Sequence, residues 1–240
     1  MNKESVTCAA NNVHWYKAIF GSHGLRGAIA DGMWTSRDSP PPYYSNAVTL
    51  ASSPVAAQTA TIRDLGGTLG SHWSVKDSFS VLELSSLALQ PLFEANWIWC
   101  DAANAPLPVG SDIVWRRVTT VAELERWEGA WRENGSPATS RVFVPDLLAD
   151  PAVALFSGER QGAIVAGCAA NLSVEAVGFS NLFIAGGDDD RTTAEAVSEV
   201  ARFGAGVPIV GYERGERLAR VGRLGFRTVG KLRVWVTGGD

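Results

Sequence analysis

Residues 176–236 constrain the fold more than any other stretch, because an apolar strand, a glycine turn, a helix, a short strand, a helix and a last strand follow in order. Residues 177–184 read as a buried strand, and Thr192 or Thr193 opens a helix running to about Arg202. Residues 208–211 read as a short buried strand, 216–224 as a helix, and 227–236 as a strand alternating charge with apolar bulk. The pattern is that of an α/β protein with a mixed sheet flanked by helices. Where such an arrangement usually offers a helix N-terminus to a phosphate, the chain has Gly186-Gly187-Asp188-Asp189-Asp190-Arg191. Three adjacent carboxylates there repel a pyrophosphate unless a cation lies between.

A chain of 240 residues, 46% hydrophobic and 19% charged, suffices for one large or two modest domains. The net charge of -4 gives no general attraction to DNA or to an anionic membrane. Cys8, Cys100 and Cys168 are far apart and have no histidine cluster near them, so no disulfide framework and no metal site is expected. His14, His23 and His72 are equally dispersed. Residues 1–12 lack the charged start and apolar core of a secretory signal, and the longest apolar run, 163–170, is too short to span a bilayer. A reducing cytoplasm fits these features.

Pro106, Pro108 and Gly110 lie between two apolar strands and mark a connection. The expected division is therefore 1–104, a linker at 105–112, and 113–240. The first part is expected to hold strands at 33–34, 46–50, 73–79 and 92–99, with a helix at 57–69. Pro40, Pro41 and Pro42 belong in a loop, since they remove backbone donors. In the second part, 113–118 reads as a strand, Thr119 or Thr120 as the cap of a helix at 121–131, and 153–157 with 163–171 as a hairpin. An offset of 137 residues aligns Val75-Lys76-Asp77-Ser78 with Tyr212-Glu213-Arg214-Gly215, and Leu87, Leu89 and Leu92 with Leu224, Phe226 and Val229. Such self-similarity suggests an internal repeat.

The order of elements over 113–236, with Leu224-Gly225-Phe226 between the last helix and last strand, resembles the GCN5-related N-acetyltransferases (GNAT), and the whole chain resembles a tandem, degenerate pair of such domains. The resemblance implies a sheet splayed open between its fourth and fifth strands, 177–184 and 208–211. An acyl thioester lies in that cleft and a small amine attacks its carbonyl. It also implies a donor-binding turn, for which only Gly186 and Gly187 remain; the family's phosphate-binding signature is missing from both halves, the first reading Ala51-Ser52-Ser53-Pro54-Val55-Ala56. The donor is then acetyl-CoA, another acyl carrier or, as a further alternative, an aminoacyl-tRNA. A different class of reading is a non-catalytic module that binds a small molecule or protein partner in the cleft between the halves.

Tyr212 follows the short strand, where the resemblance implies a phenol that protonates the departing thiolate; a packed tyrosine is the structural alternative. Glu213 and Arg214 either orient a substrate or form an exposed charge pair. Ser180 and Asn181 interrupt an apolar strand, so they line the cleft or form a β-bulge. Lys76, Asp77 and Ser78 sit in an apolar neighbourhood and bind a polar ligand or lock a turn. Trp34, Tyr43, Tyr44 and Asn46 suit a small-molecule pocket or core packing. Arg214, Arg217, Arg220 and Arg223 spiral round their helix and are expected to be solvated, whereas Arg227, Lys231 and Arg233 are expected on one face of the last strand, where they attract phosphate or an RNA backbone.

Overall fold

The computed structural model describes residues 2–107, 110–187 and 189–238, so Pro108 and Asp188 lie outside the described residues. Among the described residues five α-helices accompany the strands: α1 (Lys3–Ser22), α2 (Val55–Leu69), α3 (Val121–Glu133), α4 (Asp190–Gly204) and α5 (Gly215–Arg223). The strands are β1 (Ala28–Ala30), β2 (Met33–Thr35), β3 (Ala47–Thr49), β4 (Ser74–Asp77), β5 (Leu89–Cys100), β6 (Val114–Arg117), β7 (Val153–Arg160), β8 (Ala163–Leu172), β9 (Val177–Ile184), β10 (Ile209–Glu213) and β11 (Arg227–Thr237). Among the described residues no helix is long and apolar enough to cross a membrane.

Local chemistry sets some element ends as expected and moves others: Asp189, not Thr192 or Thr193, caps α4, and β7 runs on to Arg160 beyond its expected end at Ser157. Thr120 caps α3 in a capping box with Glu123. The β7–β8 hairpin turns on Gln161 and Gly162, both at positive φ, which matches a two-residue turn of the right twist. The long helix α1 has no counterpart in the sequence reading. It buries Ser5, Thr7 and Asn11 along with its apolar residues, so its inward face carries no clean hydrophobic stripe. Asn11 instead binds backbone: its Nδ2 donates to the Asn171 and Ala176 carbonyls at 3.2 and 3.1 Å, and Asn171 Nδ2 returns a bond to Asn11 O at 3.0 Å.

The expectation of one sheet per half is corrected, because all eleven strands join a single sheet in the order β1-β2-β3-β4-β11-β5-β10-β9-β8-β7-β6. Strand β5 lies between β10 and β11, and β11 lies between β4 and β5, so the halves exchange strands across the 105–112 connection. The long antiparallel β5/β11 pair has a local twofold symmetry. Leu232 pairs with Ala95, and these two residues are 137 apart. On either side, Arg233 meets Glu94 and Lys231 meets Asn96, then Val234 meets Phe93 and Gly230 meets Trp97. One residue is skipped beyond each, Val229 in β11 and Leu92 in β5, so the two bulges are also 137 apart. The outer neighbours follow with an offset of 136: Lys76 of β4 faces Val234, and Tyr212 of β10 faces Trp97. Lys76, not Val75, therefore corresponds to Tyr212.

The Val229 bulge also breaks the two-residue alternation on β11. Arg227 consequently lies on the side of α1, where it pairs with Glu4 at 2.6 Å, while Arg233 lies on the opposite side and pairs with Glu94 at 2.5 Å. The expected single basic face of Arg227, Lys231 and Arg233 does not form.

Candidate active site

Parallel pairing between β9 and β10 covers only Ile209 with Val177 and Val210 with Gly178, after which the strands part. A glycine in each strand allows close packing here, Gly211 against the β9 backbone and Gly178 against the side chains of Asn171 and Asn11. A Cβ on Gly211 would lie 2.6 Å from Phe179 O, and one on Gly178 would lie 2.1 Å from Asn171 Oδ1. On its other side β9 bulges, because Gly167 faces Phe183 but Ala169 already faces Ser180. Asn181 takes φ 54°, and its Nδ2 donates to Ser180 Oγ at 2.9 Å. The bulge exists, and Ser180 and Asn181 line the cavity beside it.

The wedge between β9 and β10 opens into a cavity of about 210 Å3, where Ser180, Asn181, Tyr212 and Glu213 meet Lys76, Tyr44 and the α1 side chains Asn12, Trp15 and Tyr16. Tyr212 stands edge-on to Trp97, with ring centroids 5.7 Å apart. The Lys76 side chain crosses from β4 to this point. Its Nζ donates to Asn12 Oδ1 at 3.2 Å and lies 4.4 Å from the Tyr212 ring centroid and 5.0 Å from that of Tyr16. Lys76 is only 3% exposed. Burial opposes its ammonium, but the Tyr16 and Tyr212 phenols outweigh that, so the pKa of Lys76 is raised. Tyr44 accepts a hydrogen bond from Trp15 Nε1 at 2.9 Å, and burial holds its phenol well above the ordinary range, hence neutral.

A second cavity of about 340 Å3 adjoins the first and shares Tyr43, Tyr44, Lys76 and Tyr212 with it. Its remaining walls are mainly apolar, from Leu92, Phe93, Val234 and Val236.

The structure brings together Tyr212, Glu213, Ser180, Asn181, Lys76, Tyr43 and Tyr44 from the sequence reading, and it sets the others apart. Trp34 is fully buried in an aromatic cluster, edge-on to Phe20 at 4.8 Å and Tyr16 at 5.5 Å. Asn46 is equally buried and ties its loop by donating to the carbonyls of Ser36 and Asp38. Asp77 locks a turn by accepting from the Leu82 and Phe79 amides, at 2.8 and 3.2 Å. Ser78 serves through its backbone, donating its amide to Thr49 Oγ1 and accepting from Trp97 Nε1. Arg214 lies outside the first cavity with its guanidinium 4.7 Å from the Phe93 ring centroid. The arginines of α5 are not simply solvated: Arg220 and Arg223 both hold Asp190, and Arg217 lines the first cavity. Asn12, Trp15, Tyr16 and Arg217 went unrecognised as site residues, because they reach the cleft from α1 and α5 without any motif.

The two halves treat their wedges differently. Strands β3 and β4 are also parallel, at Ala47 with Val75 and Val48 with Lys76. Beyond them the Ser78 amide bonds to Thr49 Oγ1 at 2.7 Å, stitching the β3/β4 wedge closed.

The N-terminus of α4, reached through Gly186 and Gly187, does not suit the pyrophosphate of coenzyme A. Asp189 caps the helix, its Oδ1 accepting from the Thr192 amide at 2.8 Å and its carbonyl accepting from the Thr193 amide at 3.1 Å. Asp190 takes up Arg220 and Arg223, with Arg223 Nε at 2.8 Å, and these guanidinium groups, led by Arg223, hold its carboxyl below the usual range. One helix-end donor, the Thr192 amide, and two nearby cations, Arg220 and Arg223, are thus occupied by the chain's own carboxylates.

No family model matches the chain, and no curated protein matches it. Solved structures do. A GCN5-related N-acetyltransferase from Kribbella flavida superposes with a TM-score of 0.68 at 12% identity, over 97% of this chain and 96% of its own. A functionally unknown conserved protein from Staphylococcus epidermidis gives 0.62 at 9% identity, over 92% and 98%. A GCN5-related N-acetyltransferase from Sphaerobacter thermophilus gives 0.55 at 12% identity, over 78% and 68%. The fold of this chain is therefore the GNAT fold, covering most of its length.

Proposed function

We propose that this GNAT-fold chain is an acyltransferase in which a small amine attacks an acyl thioester, or another activated acyl carrier, in the wedge between β9 and β10. The observation that carries this reading is the parting of the two strands into a cavity that Tyr212 lines. Among the described residues the β9 edge facing β10 has no strand partner past Gly178, and although Arg217 engages the Leu182 carbonyl, the backbone before it can meet an extended acyl arm. The bulge at Ser180 and Asn181 sets polar groups where the carbonyl oxygen gains charge during attack. A C–N bond forms as the amine adds to the carbonyl carbon. The C–S bond then breaks, the Tyr212 phenol gives its proton to the departing thiolate, and the proton lost by the new amide nitrogen restores the phenol through Glu213 or water. Holding both reactants in one cavity supplies much of the rate.

The symmetric strands and matched bulges support a reading of the chain as two GNAT-like units, 1–104 and 113–240, with the reaction in the second. A closed first wedge and an open second one support that assignment. The occupied α4 N-terminus supports a donor other than free coenzyme A thioesters, such as a carrier-protein thioester. A cytoplasmic setting accords with three unpaired, buried cysteines.

The test is thiol release. The protein is incubated with short N-acylcysteamine thioesters, acyl-CoAs and acyl-carrier thioesters, together with a pool of small amines, and free thiol and amide are measured. Amide formation is expected with at least one carrier, and Tyr212→Phe should lower kcat by roughly 10²–10⁴-fold with little change in KM for the thioester. No thiol release from any carrier would sink the reading.

A further inference from the structure

We propose that the acceptor is an amino carboxylate with an apolar side chain, its carboxylate held by Lys76; this rests on the acyltransferase reading above. Lys76 is a buried cation whose partners are one amide oxygen, Asn12 Oδ1, and the phenols of Tyr16 and Tyr212, whose ring centroids lie 5.0 and 4.4 Å from its ammonium. None of these is a carboxylate. The nearest acid in sequence, Asp77, is turned away and engaged by the Leu82 and Phe79 amides. A buried ammonium held by amide and phenol oxygens alone gains further from a carboxylate that reaches it. Both cavities touch Lys76, so an anion entering either one meets it.

The surroundings define the rest of the molecule. The Lys76 ammonium lies 4.4 Å from the Tyr212 ring centroid, so a carboxylate on Lys76 brings an amine one or two carbons away to the mouth of the β9/β10 wedge. The second cavity runs from the same lysine along Leu92, Phe93, Val234 and Val236, and its volume of about 340 Å3 accommodates an aliphatic or aromatic side chain. A carboxylate, a neighbouring amine and an apolar substituent branching from one centre are the features of an α-amino acid.

The test is binding and does not depend on turnover. Calorimetric titration of the intact protein compares L-phenylalanine with 2-phenylethylamine, which lacks the carboxylate, and with 3-phenylpropionate, which lacks the amine. Both carboxylates are expected to bind about tenfold or more tighter than phenylethylamine, and Lys76→Met, whose fold is checked by circular dichroism, should erase that preference. Equal binding of all three by the unaltered protein, or binding of none, would overturn the proposal, whether or not thiol release is seen. A carboxylate preference in a protein that releases no thiol would leave the ligand class standing and remove the acyl transfer alone.

Discussion

Lys76 and Tyr212 stand at corresponding places on β4 and β10, yet the ammonium of one lies 4.4 Å from the ring centroid of the other. The local twofold relation between the halves thus runs through the middle of the site and is broken there. One half contributes a buried cation and the other a phenol. The first-half wedge is sewn shut beside Lys76, and the second-half wedge is open beside Tyr212.

Freeing the α4 N-terminus should create a phosphate site. Asp189→Ser keeps a capping oxygen for the Thr192 amide, and Asp190→Ala releases Arg220 and Arg223. The double variant is expected to bind pyrophosphate or coenzyme A roughly tenfold or more tighter than the unaltered protein, with a gain that fades as salt rises. Calorimetry at two ionic strengths checks both points, and unchanged affinity would show that these acids are not what keeps phosphate away.

Gly178→Ala tests the contact that seats α1 on the sheet. The new methyl would fall 2.1 Å from Asn171 Oδ1 and 2.5 Å from Asn11 Oδ1, both buried. A loss of about 1–3 kcal/mol in urea unfolding is expected. A neutral result would mean that the Asn11–Asn171 pair moves aside freely.

The positive φ at Asn181 makes a paired prediction. Asn181→Gly should change stability by less than about 0.5 kcal/mol, whereas Asn181→Val, branched at Cβ, should cost about 1–2 kcal/mol. If valine is tolerated as well as glycine, the bulge is not held in the left-handed conformation.

The cysteines should be silent toward thiol reagents. Burial, first among the causes, pushes the thiol of Cys8 up to about 12 and that of Cys100 to about 11, and it also raises Cys168. All three thiols are therefore protonated at neutral pH. A disulfide reagent at pH 7.5 is expected to react slowly with the folded protein and rapidly with all three thiols in denaturant. A fast native phase would contradict the buried assignment.

Much of the fold is legible where local chemistry decides it: the Thr120 cap, the existence of the β7–β8 hairpin and the strand–helix order after Ala176. The offset of 137 is also legible, and it matches the β5/β11 register and its bulges. On β4 and β10 it is one residue off, because the segments leading into β5 and β11 differ by one in length, and sequence similarity there is too slight to reveal the gap. Tyr212, Ser180 and Asn181 stand out as polar groups near a short strand. Asn12, Trp15 and Tyr16 do not, since α1 hides its inward face behind Ser5, Thr7 and Asn11. The basic face on β11 fails for a related reason: a bulge leaves no mark in a sequence, and one extra residue carries Arg227 to the other side.

The exchange of β5 and β11 also orders events during synthesis. When Leu89–Cys100 has left the ribosome, the slot between it and Ser74–Asp77 has no strand to fill it, and β5 lacks both of its final neighbours. The slot stays vacant until Arg227–Thr237 emerges. The first half must wait as an unfinished sheet with exposed edges, which makes a nascent chain stalled between these points a target for chaperones and for mispairing with its neighbours on the same message.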